Sequence, residues 1–117
     1  MHNYKKLVVW QRAYRLGLEL IRATRGFEAP MRFTLGDQIS RAAISIPSNV
    51  AEGSSRGTTK EFRRFLGIAM GSACELETQI MLARDLDLVP TDVASQHLRE
   101  LVEIQRMLHS LRTRKED

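Results

Sequence analysis

The sequence predicts an all-α protein, an antiparallel up-down four-helix bundle in which residues 1–117 form one domain. Apolar residues recur at every third or fourth position in four long segments, as they do on one face of a helix. Short turns containing Gly, Pro, Ser or Thr separate these segments, and no segment alternates apolar and polar residues as a strand would. The predicted helices cover about residues 5–25, 35–53, 59–87 and 91–113.

The first two helices are predicted from apolar stripes. The stripe of the first helix consists of Leu7, Trp10, Tyr14, Leu18 and Ile21. The stripe of the second helix consists of Ile39, Ala42, Ala43, Ile46 and Val50. Pro47 lies inside the second helix, and an interior proline removes a backbone hydrogen bond. We therefore expect either a bend at Pro47 or a nearby polar group that satisfies the freed carbonyl.

The third helix has the clearest start in the sequence. Thr58 and Glu61 form a capping box, in which the threonine caps the helix and the glutamate reaches back to the cap. The core stripe that follows consists of Phe62, Phe65, Leu66, Ala69, Ala73, Leu76, Ile80 and Ala83. Ile68, Leu82 and Leu86 lie off this stripe, and a helix that is apolar on more than one side needs further cover. This surplus predicts that the protein assembles with itself.

Two glycines four residues apart, Gly67 and Gly71, predict a groove on the third helix, because an interior glycine otherwise weakens a helix. Trp10 is the side chain expected to fill this groove, and Glu75 is expected to line it. Cys74 lies in the same stretch of small residues, where a buried thiol is expected.

The fourth helix is expected to begin with Thr91 as its N-cap. Its apolar stripe consists of Val93, Leu98, Leu101, Val102, Gln105, Leu108 and Leu111. The tail from Arg112 to Asp117 is charged and is expected to fray.

No constellation in the sequence points to catalysis, a metal or a cofactor. A di-iron bundle needs inward-facing Glu-x-x-His pairs, and neither His97 nor His109 has a glutamate three residues before it. His97 is expected on a solvated face. Phosphate-loop, nucleophile-elbow and zinc-ligand spacings are absent as well. We therefore expect a protein that is not an enzyme and that binds no metal and no cofactor.

Composition favours a cytoplasmic protein that does not enter a membrane. Cys74 is the only cysteine, so no internal disulfide can form, and a reducing compartment fits. No apolar run approaches the length of about 18 residues that suggests a membrane helix.

Charge is distributed unevenly along the chain. Residues 1–66 carry a net charge of +7, and residues 67–117 carry a net charge of −3. Basic side chains form one group on the first helix and another at the start of the third, namely Arg12, Arg15, Arg22, Arg56, Lys60, Arg63 and Arg64. Such groups are common on solvated surfaces, but they can also follow the phosphates of a nucleic acid. These residues are the candidate nucleic-acid-binding residues.

Three polar residues share one face of the second helix. Ser45, Asn49 and Glu52 have the spacing i, i+4, i+7. Polar groups that meet other helices must be hydrogen-bonded, so one interpretation gives them a structural role such as fixing helix register. The alternative is a polar ligand site or subunit contact centred on Asn49 and Glu52. We expect Asn49, Glu52 and Glu75 to lie in apolar surroundings.

Several blocks of the sequence resemble a known family. The blocks are Val9-Trp10-Gln11, residues 45–53 (SIPSNVAEG), Glu61-Phe62 with Phe65-Leu66, and residues 71–77 (GSACELE), and Gln38 and Arg41-Ala42-Ala43 also match. They are similar to the signature blocks of the bacterial four-helix-bundle family encoded within intervening sequences of 23S ribosomal RNA genes. The resemblance spans about residues 7–88. It departs from the family pattern at Ser40, where the family carries an arginine, and in residues 28–34.

The resemblance implies a four-helix bundle that assembles as a homopentamer. A distant relative, the accessory protein of diversity-generating retroelements, is a similar pentameric barrel that binds nucleic acid and a reverse transcriptase. The ribosomal label of the family reflects the location of its genes and implies no ribosomal function. The blocks and the polar pattern together indicate a structural polar or subunit site formed by Trp10, Gln11, Ser45, Asn49, Glu52 and Glu75.

The leading hypothesis is a non-enzymatic, ring-forming bundle whose basic surface binds RNA or another nucleic acid. The alternative is a protein-interaction scaffold in which the basic half of one subunit meets the acidic half of another, without nucleic acid. For the leading hypothesis we expect electrostatic binding with weak sequence preference, and exposed side chains at Arg63 and Arg64.

Overall fold

The computed structural model describes residues 3–114 and consists of four long helices. They are α1 (Val8–Thr24), α2 (Leu35–Ser55), α3 (Thr59–Asp85) and α4 (Thr91–Thr113). Short 3-10 helices precede α1 and α2, at Tyr4–Lys6 and Met31–Phe33. Within the described residues there is no strand, which confirms the predicted all-α class. The tail that is predicted to fray includes Lys115 to Asp117, and these three residues lie outside the part of the chain that the structure describes.

The helices form an up-down bundle of 48 × 22 × 20 Å. Each helix packs against the next one along the chain, and α1 packs against α4 to close the bundle. Contacts between opposite ends of consecutive helices show that they run antiparallel: Thr24 meets Ser40, and Arg63 meets Arg114. The predicted topology is therefore confirmed.

The core lies on a different face of α1 from the one predicted. Its buried residues are Val9, Ala13, Leu16, Gly17, Leu20 and Thr24. Of the predicted stripe, Tyr14 and Leu18 are exposed, while Trp10 and Ile21 are only half-buried. The first helix is apolar on two adjacent faces, and the face with small residues lies inside because small side chains let α1 approach its neighbours closely.

The core face of α4 includes Leu101 and Leu108 of the predicted stripe but otherwise differs from it. Its buried residues are Ala94, His97, Leu101, Ile104 and Leu108, which follow one another at spacings of three and four. His97 is thus buried, and its expected place on a solvated face is wrong. Its Nε2 atom lies 3.4 Å from Oε2 of Glu19 on α1, so the imidazole has a polar partner at the edge of the core.

The second helix continues through Pro47 without ending. Pro47 cannot bond to the carbonyl of Ala43, four residues earlier. Asn49, the nearby polar side chain on the same helix, does not satisfy that carbonyl, because it donates to the carbonyl of Ser45 at 2.8 Å. The Ala43 carbonyl faces α1 at Gly17, where even a Cβ atom would lie 3.5 Å from the oxygen. The carbonyl that proline frees therefore lies at the contact between α1 and α2, and a Cβ at position 17 would meet it at an ordinary contact distance.

The predicted starts of α3 and α4 are confirmed only in part. Thr58 caps α3, since its Oγ1 accepts from the backbone N–H of Glu61 at 3.2 Å. The carboxylate of Glu61 does not reach back to the cap, because it accepts from Arg64 instead. Thr91 is the first residue of α4 rather than its cap, and Pro90 occupies the cap position without a side-chain hydrogen bond.

The groove predicted around the glycines of α3 is not filled by Trp10. Gly67 lies against the guanidinium of Arg112, and Gly71 is open, with no heavy atom within 4 Å of a Cβ placed there. Trp10 instead packs against Tyr4 and Tyr14 at ring-centroid distances of 5.2 and 5.1 Å. Cys74, expected to be buried, is exposed. The small residues of α3 thus leave part of its outer surface bare.

None of the helices described here is long and apolar enough to span a membrane.

Candidate nucleic-acid interface

The antiparallel topology gathers basic side chains at one end of the bundle. The start of α1, the α2–α3 turn and the end of α4 all lie at this end. We call it the basic end, and its basic residues are Lys5, Lys6, Arg56, Lys60, Arg63, Arg64, Arg112 and Arg114. The turn itself depends on Gly57, whose φ of 89° is a left-handed conformation that favours glycine.

Two arginines of the basic end enclose a phenylalanine ring. The guanidinium carbons of Arg56 and Arg64 lie 5.1 and 4.4 Å from the ring centroid of Phe65. Each arginine also pairs with a carboxylate at 2.8 Å, Arg56 with Glu52 and Arg64 with Glu61. The hydrogen bond from Arg64 lowers the pKa of Glu61. These pairs hold the guanidinium groups in place, but they also neutralise them.

Arg63, Arg112 and Arg114 connect α3 to α4 through backbone carbonyls, and none of the three forms an ion pair with a carboxylate between residues 3 and 114. Nη2 of Arg63 donates to the carbonyl oxygen of Arg114 at 2.7 Å, and Nε of Arg112 donates to the carbonyl oxygen of Arg63 at 3.3 Å. Carbonyl acceptors leave the positive charges uncancelled. The expected exposure of Arg64 is confirmed, but Arg63 is half-buried and its Nε is buried without an acceptor. A charge reversal at Arg63 therefore disturbs the packing as well as the surface.

Lysines supply the most accessible charge of the basic end. Lys5, Lys6 and Lys60 are exposed and form no ion pair within residues 3–114. Gln11 helps to place two of them, because its Nε2 donates to the carbonyl oxygen of Lys5 at 2.8 Å and so fixes the 3-10 helix that carries both. Among the described residues, the acidic neighbours Glu52 and Glu61 are already paired.

The arginines of α1 do not join the basic end as one surface. Nε of Arg12 donates to Oε2 of Glu100 on α4 at 2.8 Å, and a second hydrogen bond joins the same two groups. Arg22 lies in the last turn of α1, towards the opposite end of the bundle. Arg15 is exposed between them. The predicted set thus separates into a group at the α2–α3 turn and scattered residues on α1.

The Arg12–Glu100 pair makes stability depend on pH. Hydrogen bonding to Arg12 lowers the pKa of Glu100 below its ordinary value of 4.5. The pair therefore contributes stability above that value, and the contribution is lost as pH falls through the lower pKa of the folded state. At neutral pH we expect Glu100→Gln to reduce the free energy of unfolding by about 1 kcal/mol, since both side chains are partly exposed.

Urea unfolding at several pH values, followed by circular dichroism, measures this difference. It should shrink as pH falls below 4.5 and through the lower pKa of Glu100 in the folded state, where the wild-type carboxylate becomes protonated. Glu103→Gln is the matched control, because Glu103 pairs with Arg106 on the exposed surface of the same helix. A constant difference for Glu100→Gln across all pH values would contradict the assigned role of this ion pair.

The polar residues of α2 form a small network with α3. Nδ2 of Asn49 donates to the carbonyl oxygen and to Oγ of Ser45, at 2.8 and 2.9 Å. Oγ of Ser45 lies 2.7 Å from Oγ of Ser72. Because Ser45 accepts from Asn49, its own hydroxyl proton is free to be donated to Ser72. This chain of hydrogen bonds fits the structural interpretation, since it ties two helices in register.

The two glutamates expected beside this network do not lie in apolar surroundings within one chain. Glu52 is exposed and pairs with Arg56. Glu75 is exposed and has no hydrogen-bond or ion-pair partner in the described part of the chain. Ser40, which replaces an arginine of the resembled family, lies 3.3 Å from the hydroxyl of Thr24 and joins α2 to α1. The predicted polar site is therefore spread over several contacts.

Among residues 3–114, no cluster of three or more histidine, cysteine or acidic side chains is placed to hold a metal ion.

Comparison with known proteins identifies a solved structure with a similar fold and a family that matches the sequence. A solved protein of unknown function from the S23 ribosomal protein family of Bacteroides thetaiotaomicron has the same fold, with a TM-score of 0.85 and 20% sequence identity over 92% of this chain and 100% of that chain. No curated protein matches the sequence. Residues 5–110 match the family described as 23S rRNA-intervening sequence protein. Because this match covers nearly the whole chain and agrees with the sequence blocks noted above, the chain belongs to the 23S rRNA-intervening sequence protein family.

Proposed function

We propose that this protein is a non-enzymatic, self-assembling bundle whose basic end binds RNA or another nucleic acid through its phosphates. The observation that supports this proposal is the convergence of three separate segments of the chain on the basic end. Lys5, Lys6 and Lys60 form no ion pair with a carboxylate within residues 3–114, and Arg112 and Arg114 add further positive charge. A nucleic acid is the common partner for such a surface, because each bound phosphate releases counterions.

The arrangement favours contact with the nucleic-acid backbone over reading of its bases. Phe65 is buried and covered by Arg56 and Arg64, so it offers no free face for a base to stack on. Tyr4, the ring beside Lys5, packs against Trp10 and has the Lys5 ammonium over its ring. Flexible lysines contact phosphates as point charges and distinguish sequences poorly. We therefore propose weak sequence preference.

Fluorescence anisotropy with labelled single-stranded RNA of two unrelated sequences tests this function. Both should bind at about 50 mM salt, and affinity should fall steeply by about 200 mM, with a slope near −0.7 per phosphate contacted. An assembled protein that binds neither RNA at the lower salt concentration would overturn the proposal. Strong preference for one sequence would overturn the backbone-contact mechanism.

We also propose that the protein assembles with itself, and the number of five subunits comes from the family resemblance. Large apolar side chains exposed on α1, α2 and α3 support assembly, since soluble monomers rarely leave such groups together in water. Assembly would repeat the basic end in each subunit and raise the avidity for a long RNA. Light scattering should give a mass several times the 13.4 kDa of one chain. A monomer at micromolar concentration would contradict assembly.

The same exposed apolar groups favour a second candidate function, a protein-interaction scaffold that binds no nucleic acid. It becomes the better explanation if the oligomer forms but anisotropy detects no RNA binding at low salt.

A further inference from the structure

Two separate apolar faces lie on either side of α2. The first is a groove between α1 and α2 that encloses about 310 Å³. We call it the groove face, and its main side chains are Trp10, Tyr14, Leu18, Ile44 and Pro47. Tyr14 and Ile44 are 49% and 52% exposed. This surface includes the part of the predicted α1 stripe that the core does not use.

The second face is a ridge on the edge of α3 that borders α2. We define the ridge face by Ile68, Leu82 and Leu86, which are 42%, 48% and 54% exposed. Ser72, one helical turn after Ile68, reaches Ser45 of α2, and this contact places the ridge on the α2 side of α3. The core stripe of α3 packs elsewhere, and the ridge is only partly covered, because Leu82 and Leu86 line an open groove with Phe33 and Arg41.

Unpaired charges of opposite sign accompany the two faces. Arg15 and Arg22 lie one turn before and one turn after Leu18, and both are exposed without an ion pair within residues 3–114. Glu75 lies seven residues from both Ile68 and Leu82, and it too is exposed and unpaired in that range. The groove face is therefore flanked by positive charge, and the ridge face contains the negative charge of Glu75, while Asp37 and Arg41 of α2 lie beside Leu82 and Leu86 with opposite charges.

We propose that the ridge face of one copy of this chain seats in the groove face of a second copy, with Glu75 meeting Arg15 and Arg22. The inference rests on the self-assembly proposed above and assigns the surfaces that carry it. A second copy is the occupant that the charges favour, because each chain carries both complementary faces. One kind of contact then covers both faces on every subunit. Such a contact joins different surfaces, so it repeats from subunit to subunit and closes into a ring when the rotation allows.

Mixing two singly blocked variants tests this head-to-tail contact. Ile44→Glu blocks only the groove face, and Leu82→Glu blocks only the ridge face. Both positions are exposed, so the fold should persist, which circular dichroism verifies. By light scattering we expect each variant alone to be a monomer of 13.4 kDa. Their equimolar mixture should form a heterodimer, because one intact groove face and one intact ridge face remain.

Val8→Glu provides the control, since Val8 is an exposed apolar residue of α1 that belongs to neither face, and this variant should keep the wild-type mass. The proposal is overturned if either blocked variant keeps the wild-type mass, or if the mixture stays monomeric. The first result would mean that like faces pair with like, because a variant blocked on one face would still associate through the other.

A charge exchange tests the electrostatic part. Glu75→Arg should shift the subunit dissociation constant upward at least tenfold, and combining it with Arg15→Glu and Arg22→Glu should restore the wild-type value. Lack of rescue would overturn the assigned charge contact. These readouts are independent of nucleic acid. A monomer that binds RNA would overturn this inference and leave the RNA proposal standing. An oligomer that binds no RNA would overturn the RNA proposal and leave this inference standing.

Discussion

Gly53→Ala is expected to destabilise the protein by about 1–3 kcal/mol, although alanine is the better helix former. A Cβ at position 53 would lie 2.8 Å from Cβ of Phe65 and 3.3 Å from the carbonyl oxygen of Phe62. Neither of these atoms can rotate away, because both are fixed to the backbone of α3. The ends of α2 and α3 must therefore separate at the turn that forms the basic end.

Gly71→Ala is the matched control for this effect. Gly71 is also inside a helix, but no heavy atom lies within 4 Å of a Cβ placed there. This substitution should raise the free energy of unfolding by about 1 kcal/mol through helix propensity alone. Urea unfolding of both variants measures the contrast. If Gly53→Ala were as stabilising as Gly71→Ala, the close contact between α2 and α3 would not exist as described.

Removing two lysine charges from the basic end is expected to weaken RNA binding strongly. Lys6→Gln combined with Lys60→Gln leaves the packing untouched, since both side chains are exposed and unpaired within residues 3–114. Each lost phosphate contact should reduce affinity roughly tenfold at about 50 mM salt, and it should make the salt slope shallower by about 0.7. Both unrelated RNA sequences should be affected equally. Fluorescence anisotropy at two salt concentrations gives both quantities.

Arg25→Gln combined with Arg99→Gln is the control for net charge. These arginines are exposed and unpaired in the described region, but they lie at the end of α1 and on the outer surface of α4, away from the basic end. This variant loses the same charge and should bind RNA nearly as well as the wild type. Equal losses for the two double variants would show that overall charge, rather than the basic end, governs binding.

The fold was predictable from sequence because each helix has both a periodic stripe and a recognisable end. The stripe of α3 is confirmed at every position, and Thr58 marks its start. The face of α1 was not predictable in the same way. Two adjacent faces of α1 are apolar, and large side chains such as Tyr14 dominate a pattern based on hydrophobicity. Packing favours the face of Ala13 and Gly17, because small residues allow close approach.

The position of His97 illustrates a related limit. A histidine near Gln96, Arg99 and Glu100 suggests a solvated face, yet His97 continues the core stripe between Ala94 and Leu101. Glu19, which lies beside it, is far away in sequence. Only the three-dimensional pairing of α1 with α4 identifies this partner.

The candidate interface was predictable in part. Arg56, Lys60 and Arg64 are close together in sequence, and they remain together in the structure. Arg112 and Arg114 were missed because they belong to a tail expected to fray, although the antiparallel α4 brings them to Arg63. The pairing of Arg12 with Glu100 likewise joins residues from opposite ends of the chain.

Photocrosslinking of bound RNA, followed by mass spectrometry of the crosslinked peptides, tests the location of the interface most directly. Crosslinks should concentrate in three segments: residues 3–8, residues 56–64 and residues 109–114. They should disappear when unlabelled RNA competes. Crosslinks confined to the opposite end of the bundle, around Arg25, Arg32 and Arg84, would contradict binding at the basic end.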